Sequence, residues 1–202
     1  MNASKEEVIA ALRLVRHPEG GFFRETYRSG AEPMASKGRT DAAGALVATD
    51  RAPPERNAMT SIYYMVPRDA PRQSLVCNAS AHMHYWHGGA ALRYRLVHPC
   101  GRVETAVLGP DVVAGHVPQL LVAGGVYKCA ELDPGAEYGL IGESVAPGFD
   151  YRDFTFVSAA MVRERLGRGR DARNILTYVK GLEVKDIDGY TDSFYERQAE
   201  EE

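Results

Sequence analysis

The segment AHMHYWHGG, residues 81–89, concentrates side chains that could do chemistry. In a β-strand, His82, His84 and Trp86 would share one face, with neighbouring members about 6.5–7 Å apart. Two imidazoles at that spacing suit either a zinc, iron or nickel ion or acid–base work on a substrate. A structural alternative is that they are hydrogen-bonded pocket or interface residues. His87 has the opposite parity and would face the other way unless a β-bulge intervenes.

A second glycine-bounded segment, AGGVYK at residues 123–128, brings Lys128 to a strand. If His82 faces inward, the same parity argument turns Lys128, Val126 and Tyr94 inward as well. A buried lysine can act as a base or form a Schiff base, and a histidine beside a tyrosine can move a proton on a carbon next to a carbonyl. Alternatively, Lys128 extends to solvent and the histidines only pack.

Three further charged residues are candidates for ligand binding. Arg24 and Glu25 either line the mouth of a barrel and bind a carboxylate or phosphate, or form a salt bridge to a neighbouring strand. Glu143, if it faces the interior, could pair with Lys128 and offset part of the cost of burying either charge.

The elements that must position these residues are short strands. Between residues 60 and 157, short β-rich runs recur between Gly, Pro, Asn and Asp, which predicts an all-β sandwich or barrel. In LRYRLV, residues 92–97, apolar and arginine side chains alternate as in a half-buried strand. Ser4 and Glu7 form a capping-box pattern that predicts a helix over residues 4–16, and AAMVRERL, residues 159–166, is also helical in pattern.

One domain of 202 residues accounts for the whole chain. We expect a barrel over about residues 18–160, a long surface excursion at residues 30–57 and a helical, acidic extension at residues 160–202. The acidic, aromatic end at residues 183–202 is either disordered or docks on another subunit.

Composition favours an ordinary globular protein of the cytoplasm. The net charge of −3 gives no general reason to expect nucleic acid or an anionic membrane as a partner. The three cysteines contain no CxxC pair and are expected to be free, and the N-terminus does not have the pattern of a signal peptide. Five arginines suit either a solvated helix face or a phosphate- or RNA-binding patch: Arg163, Arg165, Arg168, Arg170 and Arg173.

Four segments carry a resemblance to a known family: HPEGGFFRETYRS (17–29), TSIYYM (60–65), LGPDVVAGHVPQLLVAGG (108–125) and SVAPGFDYRDF (144–154). Over roughly residues 8–165 the chain resembles the fifth cupin-like domain family, a domain of unknown function in the cupin superfamily. The resemblance implies a double-stranded β-helix, or jelly-roll barrel, that encloses a pocket and is commonly a homodimer. His17 and Glu25 belong to its intact motifs.

The resemblance also implies where a metal would bind, and there the chain departs from the pattern. The usual cupin ligand positions fall on Val76, Asn78, His82 and Lys128. Valine cannot coordinate a metal and an ammonium repels one, so too few donors remain. The expectation is therefore no metal and no cofactor at the inherited site.

These observations predict a protein that binds a small polar molecule in a metal-free pocket. The expected ligand is a carbohydrate, a nucleotide sugar or a keto acid, and an isomerase- or epimerase-like activity would follow from the acid–base groups. One alternative is a non-catalytic ligand-binding or scaffold protein, and another is a metal-dependent enzyme that uses His82 and His84. The candidate catalytic residues are His82, His84 and Lys128, and the candidate ligand-binding residues are Arg24, Glu25, Asn78, Trp86, Tyr94 and Glu143.

Overall fold

The computed structural model describes residues 3–17, 20–29 and 46–182. Strands dominate, and the helices and a single 3₁₀ turn, Tyr151–Asp153, lie near the two ends of the described chain. The helices are α1 (Lys5–Leu12), α2 (Ala159–Leu166) and α3 (Arg170–Leu176). The strands are β1 (Val15–Arg16), β2 (Phe22–Arg28), β3 (Leu46–Ala48), β4 (Glu55–Asn57), β5 (Thr60–Pro67), β6 (Val76–Asn78), β7 (Ala81–Gly89), β8 (Leu92–Val97), β9 (Val103–Leu108), β10 (Gln119–Val122), β11 (Tyr127–Leu132), β12 (Tyr138–Ala146) and β13 (Phe154–Phe156).

Two antiparallel sheets form the barrel and confirm the all-β prediction. One has the strand order β1-β2-β5-β12-β7-β10 and the other β13-β6-β11-β8-β9. Side chains from both sheets meet in one apolar core, which includes Tyr64 and Ile141 from the first and Leu92 and Leu96 from the second. The alternation predicted for LRYRLV is confirmed, since its apolar side chains are buried and its arginines are not.

Short helices cover the outer faces of the two sheets. Helices α2 and α3 pack on the second sheet, while α1 packs on the first. Ser4 forms the predicted capping box, but α1 ends at Leu12 rather than at residue 16. Arg13 adopts a left-handed conformation there, with φ of 53°, which ends the helix and lets the chain turn into β1.

A hairpin of β3 and β4 occupies the described part of the predicted excursion. Arg51 and Arg56 both bind the Asp153 carboxylate, at 2.7 and 2.8 Å, so the hairpin is fastened to the segment that contains the 3₁₀ turn. Residues 30–45 of the excursion and the acidic end at residues 183–202 lie outside the described residues.

Two sequence expectations concern the arginine cluster and the thiols. Arg165 does not belong to a solvated basic face: it donates to the carbonyls of Val97 and Gly125 and stacks on the Tyr127 ring. The cysteines are free, as predicted. In the described ranges, no helix is both long and apolar enough to cross a membrane.

Candidate functional site

A cavity opens between the two sheets at one end of the barrel. About 690 Å³ is free of protein atoms, counting space that is open to solvent. Its walls are mainly apolar and aromatic, and its polar side chains lie at two depths. The deep ones are Asn78, His82, Lys128 and Glu143, and the shallower ones are Glu25 and Arg28.

An ion pair between Lys128 and Glu143 crosses the barrel at the bottom of this cavity. Lys128 lies on β11 in the second sheet and Glu143 on β12 in the first, and Lys128 Nζ is 3.1 Å from Glu143 Oε2. Each residue is only 5% exposed. The predicted pairing is therefore confirmed, and Lys128 does not extend to solvent.

Two histidines of β7 lie beside the same carboxylate. Glu143 is the cross-strand partner of His84, and His82 is the partner of Val145, so both imidazoles face inward next to Glu143. His82 Nδ1 is 3.4 Å from Glu143 Oε2, and His84 Nδ1 is 3.6 Å from Glu143 Oε1. Glu143 is thus surrounded by two imidazoles and an ammonium.

The buried setting favours neutral imidazoles around an ionised carboxylate. Burial lowers the pKa of His82, against the hydrogen bond with Glu143, and burial likewise holds the pKa of His84 well below 6.5. Burial alone would raise the pKa of Glu143, but the Lys128 ammonium and the hydrogen bond from His82 keep that pKa well below its usual value. A carboxylate can only accept hydrogen bonds, so His82 Nδ1 carries the proton and His82 Nε2 has the free lone pair.

The cavity mouth is formed by β2 and by the segment after β12. Glu25 and Arg28 of β2 form a two-bond ion pair with distances of 2.9 and 2.7 Å. Phe149, Tyr151 and Phe154 contact one another edge to face, and Tyr151 is 64% exposed. An aromatic rim therefore leads from solvent towards the buried polar groups.

Four predicted site residues do not line the cavity. Arg24 donates to the carbonyl of Leu12 and so fastens β2 to the end of α1. Trp86 packs against the apolar core, and Tyr94 is buried in it with its hydroxyl 3.1 Å from His84 Nδ1. His84 is fully buried behind the cavity wall, where it contacts Glu143. The side chains of His84, Trp86 and Tyr94 point into the barrel. They lie in the packed part of its interior and do not reach the open space of the cavity.

His87 does not join the other histidines. The register of β7 and β12 shifts at this point, with Ile141 opposite Trp86 and Leu140 opposite Gly88. His87 lies on the outer face, against Tyr63 and over Gly142. The third potential metal ligand beside His82 and His84 is therefore Glu143 and not His87.

Sequence reasoning missed the cavity residues that come from distant segments. His17 and Arg28 belong to the first family motif and Phe149 and Tyr151 to the last, and all four line the cavity. The only signal for them was membership of those motifs, because neither segment has strand periodicity that predicts an inward face.

The residues at the usual cupin ligand positions do not fit a metal ion. Val76, Asn78, His82 and Lys128 all line the same cavity, as the register predicted. A valine and an ammonium occupy two of these positions, which leaves too few donors for a metal ion. A different group, His82, His84 and Glu143, has one ligand atom each within 4.8 Å of the others.

Two facing antiparallel sheets around an internal cavity define a barrel of the cupin class. The chain belongs to the Cupin_5 family, the Cupin superfamily (DUF985), whose family model matches residues 6–157. The sequence resemblance is thereby confirmed over nearly the same range.

Three relatives resemble the chain over most of its length. The uncharacterized protein YML079W of Saccharomyces cerevisiae is 35% identical over 158 residues, which span 77% of this chain and 76% of that protein. A hypothetical protein from Leishmania major superposes with a TM-score of 0.68 at 26% identity, over 80% of this chain and 92% of that one. Protein SO0799 from Shewanella oneidensis has a TM-score of 0.69 at 25% identity, over 90% of this chain and 100% of that one. Their names state no activity.

The ion pair across the barrel predicts strong coupling between its two residues. We expect Lys128→Met and Glu143→Gln each to lower the free energy of unfolding by about 3 kcal/mol, since each leaves a buried charge without its partner. The double variant should lose less than the sum of the two by about 2 kcal/mol. Urea unfolding measures the free energy of unfolding of all three variants.

The exposed pair of Arg93 and Asp133, at 2.9 Å, provides the control, and Arg93→Met should lower the free energy of unfolding by less than about 1 kcal/mol. Additive losses at Lys128 and Glu143 would contradict the coupling.

His17 predicts a loss of stability in acid. Burial lowers the pKa of this cavity-lining imidazole from 6.5 to about 4. The unfolded chain therefore takes up a proton below pH 6.5 that the folded chain takes up only near pH 4, so the contribution is complete above 6.5 and is lost as the pH falls to about 4. Allowing for partial exposure, we expect a loss of about 2 kcal/mol at this residue. Urea unfolding across that range should show a shallower decline for His17→Asn, and equal slopes would refute the assignment.

Proposed function

We propose that the cavity binds a small molecule with a carbonyl next to a carbon that bears hydrogen and a hydroxyl, and that the protein is an isomerase- or epimerase-like enzyme. Carbohydrates and other hydroxy aldehydes and hydroxy ketones are of this kind. The observation that carries the proposal is the buried cluster of Lys128, Glu143 and His82, which opens onto a mainly apolar cavity.

His82 is the proton-transfer group in this proposal. Glu143 accepts the Nδ1 proton of His82, which leaves the Nε2 lone pair as the base. That Nε2 atom is buried and has no hydrogen-bond partner among the described residues. It removes the proton from the carbon beside the carbonyl, and the electron pair moves onto the carbonyl oxygen. Return of the proton to the opposite face of the same carbon re-forms the carbonyl and gives the epimer. Return of the proton to the former carbonyl carbon, while the hydroxyl proton of the adjacent carbon passes to the former carbonyl oxygen, gives the isomer. Because imidazolium forms next to an ionised Glu143, its charge is compensated as it develops.

Lys128 and Asn78 are the groups that bind the substrate oxygens. The Lys128 ammonium has three hydrogens, of which one is directed at Glu143 Oε2, so others remain for the carbonyl oxygen. A fixed positive charge there stabilises the negative charge that develops on that oxygen. The Asn78 side-chain nitrogen is buried without a partner among the described residues, and it can donate to a substrate hydroxyl.

A metal-dependent enzyme is the second candidate function. The compact group of His82, His84 and Glu143 favours it, because two imidazoles and a carboxylate are suitable ligands for zinc or iron. The Lys128 ammonium, which already binds the same carboxylate, opposes it. Metal analysis of protein purified without an affinity tag distinguishes the two. A stoichiometric ion that is lost in His84→Ala would favour the metal enzyme, and trace metal unaffected by that change would exclude it.

Three further properties stay as predictions from the sequence: that the protein forms a homodimer, that it is located in the cytoplasm and that it does not bind nucleic acid. A non-catalytic ligand-binding or scaffold role stays open as well, and the experiment below separates it from catalysis because it measures binding and proton exchange independently.

Proton exchange tests the proposed reaction directly. Metal-stripped protein in deuterated water should exchange the hydrogen next to the carbonyl in at least one member of a panel of aldoses and ketoses, followed by proton NMR. We expect His82→Gln to slow this exchange by at least about 100-fold, since it removes the base, while thermal-shift assays still detect binding.

A surface histidine provides the matched control. His98 binds Glu104 at 2.9 Å, lies outside the cavity and should tolerate His98→Gln with no change in exchange. Binding without exchange would assign the chain to the non-catalytic alternative. Exchange that survives His82→Gln would remove His82 as the base.

A further inference from the structure

We infer that the ligand of this cavity is an uncharged molecule with an apolar end, and that nucleotide sugars, sugar phosphates and keto acids are excluded. The inference rests on the proposed function and narrows its substrate class. Its basis is that each positive charge of the described cavity lining is already paired with a carboxylate of the same lining.

The deep charges cancel each other. Lys128 and Glu143 are 3.1 Å apart, and the side chains of both are 6% exposed. A ligand carboxylate placed beside Lys128 would bring a second negative charge close to Glu143. Two buried carboxylates that share one ammonium leave one charge uncompensated, which is costly away from water. A neutral carbonyl oxygen accepts from the same ammonium without that penalty.

The charges of Glu25 and Arg28 at the mouth also neutralise each other, and each guanidinium nitrogen of Arg28 is already hydrogen-bonded. Arg28 Nε and Nη2 donate to the two oxygens of Glu25. Arg28 Nη1 donates to Asn57 Oδ1 at 2.8 Å and to the carbonyl of Phe149 at 3.1 Å. Every guanidinium nitrogen therefore already has an acceptor. A phosphate or carboxylate would have to displace Glu25 or break the bonds that hold the rim.

The rest of the lining suits an apolar group. Phe23, Ile62, Val76 and Val145 line the wall, and the aromatic rim follows them towards solvent. His17, which also lines the cavity, is a neutral imidazole near pH 7 because its pKa is about 4. A ligand that reaches the buried cluster with a hydroxy-carbonyl end would place the remainder of its length against these surfaces.

Three small probes of known charge test the inference. We would measure their dissociation constants by ligand-observed NMR with the full, metal-stripped chain at neutral pH. The probes are 2-hydroxyacetophenone (uncharged, with a phenyl end), phenylpyruvate (the same ring with a carboxylate) and dihydroxyacetone (uncharged, with no apolar end). We expect 2-hydroxyacetophenone to bind at least about tenfold more tightly than either of the others.

The charge balance itself is tested at the mouth. Glu25→Gln leaves Arg28 without its counter-charge, so we expect phenylpyruvate to bind at least about tenfold more tightly than to the unaltered protein. Arg28→Gln leaves Glu25 unpaired and should weaken phenylpyruvate further. Glu104 of β9 pairs with Arg102 outside the cavity, so Glu104→Gln is the matched control and should change neither constant. Circular dichroism and the melting temperature establish that each variant is folded.

The outcomes separate this inference from the proposed function. Tighter binding of phenylpyruvate than of 2-hydroxyacetophenone to the unaltered protein would overturn the uncharged ligand, while proton exchange from sugars would still support the isomerase. Phenylpyruvate binding that does not respond to Glu25→Gln would also overturn it. Failure of all three probes to bind would overturn it too, and absence of proton exchange in addition would remove the proposed function.

Discussion

The ion pair between Lys128 and Glu143 is the interaction on which the site depends. It joins the two sheets across the barrel interior at 3.1 Å, where neither side chain has more than slight contact with solvent. Removing two charges from water costs several kcal/mol per ion, and their attraction compensates only if further hydrogen bonds satisfy the carboxylate. His82 supplies one such hydrogen bond from the adjacent strand, and His84 Nδ1 lies 3.6 Å from the other carboxylate oxygen. Apolar side chains of similar volume would stabilise the barrel as well as this ion pair does. The presence of the cluster therefore supports the proposed role in proton transfer and ligand binding.

The ion pair also accounts for the departure from the usual cupin ligand pattern. In this chain an ammonium occupies one of the positions where a metal ligand would stand, and it lies in the same cavity as Val76, Asn78 and His82. A fixed cation with three hydrogens can stabilise a developing oxyanion, much as a metal does, but it brings no exchangeable coordination sites. Its charge is neutralised in the resting protein by Glu143, and the mouth repeats this arrangement with Arg28 and Glu25. The cavity is therefore polar in places but carries little net charge.

Around that site, contacts outside the cavity hold the segments that form its mouth. Arg56, whose side chain is 1% exposed, and Arg51 bind Asp153 and keep the β3–β4 hairpin against the segment that supplies the aromatic rim. Arg24 fastens β2, which carries Glu25 and Arg28, to the end of α1. The residues that line the mouth are thus supported by neighbours that do not themselves touch the cavity.

Sequence reasoning succeeded where side-chain direction depends only on the local backbone. Alternation along β7 and β8 correctly turned His82, His84 and Tyr94 inward, and the register of the two glycine-bounded motifs placed Lys128 in the cavity. It did not predict that His84, Trp86 and Tyr94 lie outside the cavity lining. All three face inward, but parity specifies a face of the sheet and not whether that part of the interior is filled or open.

By itself the sequence determined the local geometry: which residues alternate along each strand, where turns and the N-terminal cap lie, and that the usual metal positions lack donors. Only the tertiary structure decided which side chains meet. The approach of Lys128 to Glu143 depends on how the two sheets pack, and the cavity mouth brings β2 together with a segment more than a hundred residues later in the chain. The physical reason is that the backbone of a strand fixes side-chain direction within a few residues, whereas distances between sheets follow from the packing of the whole core.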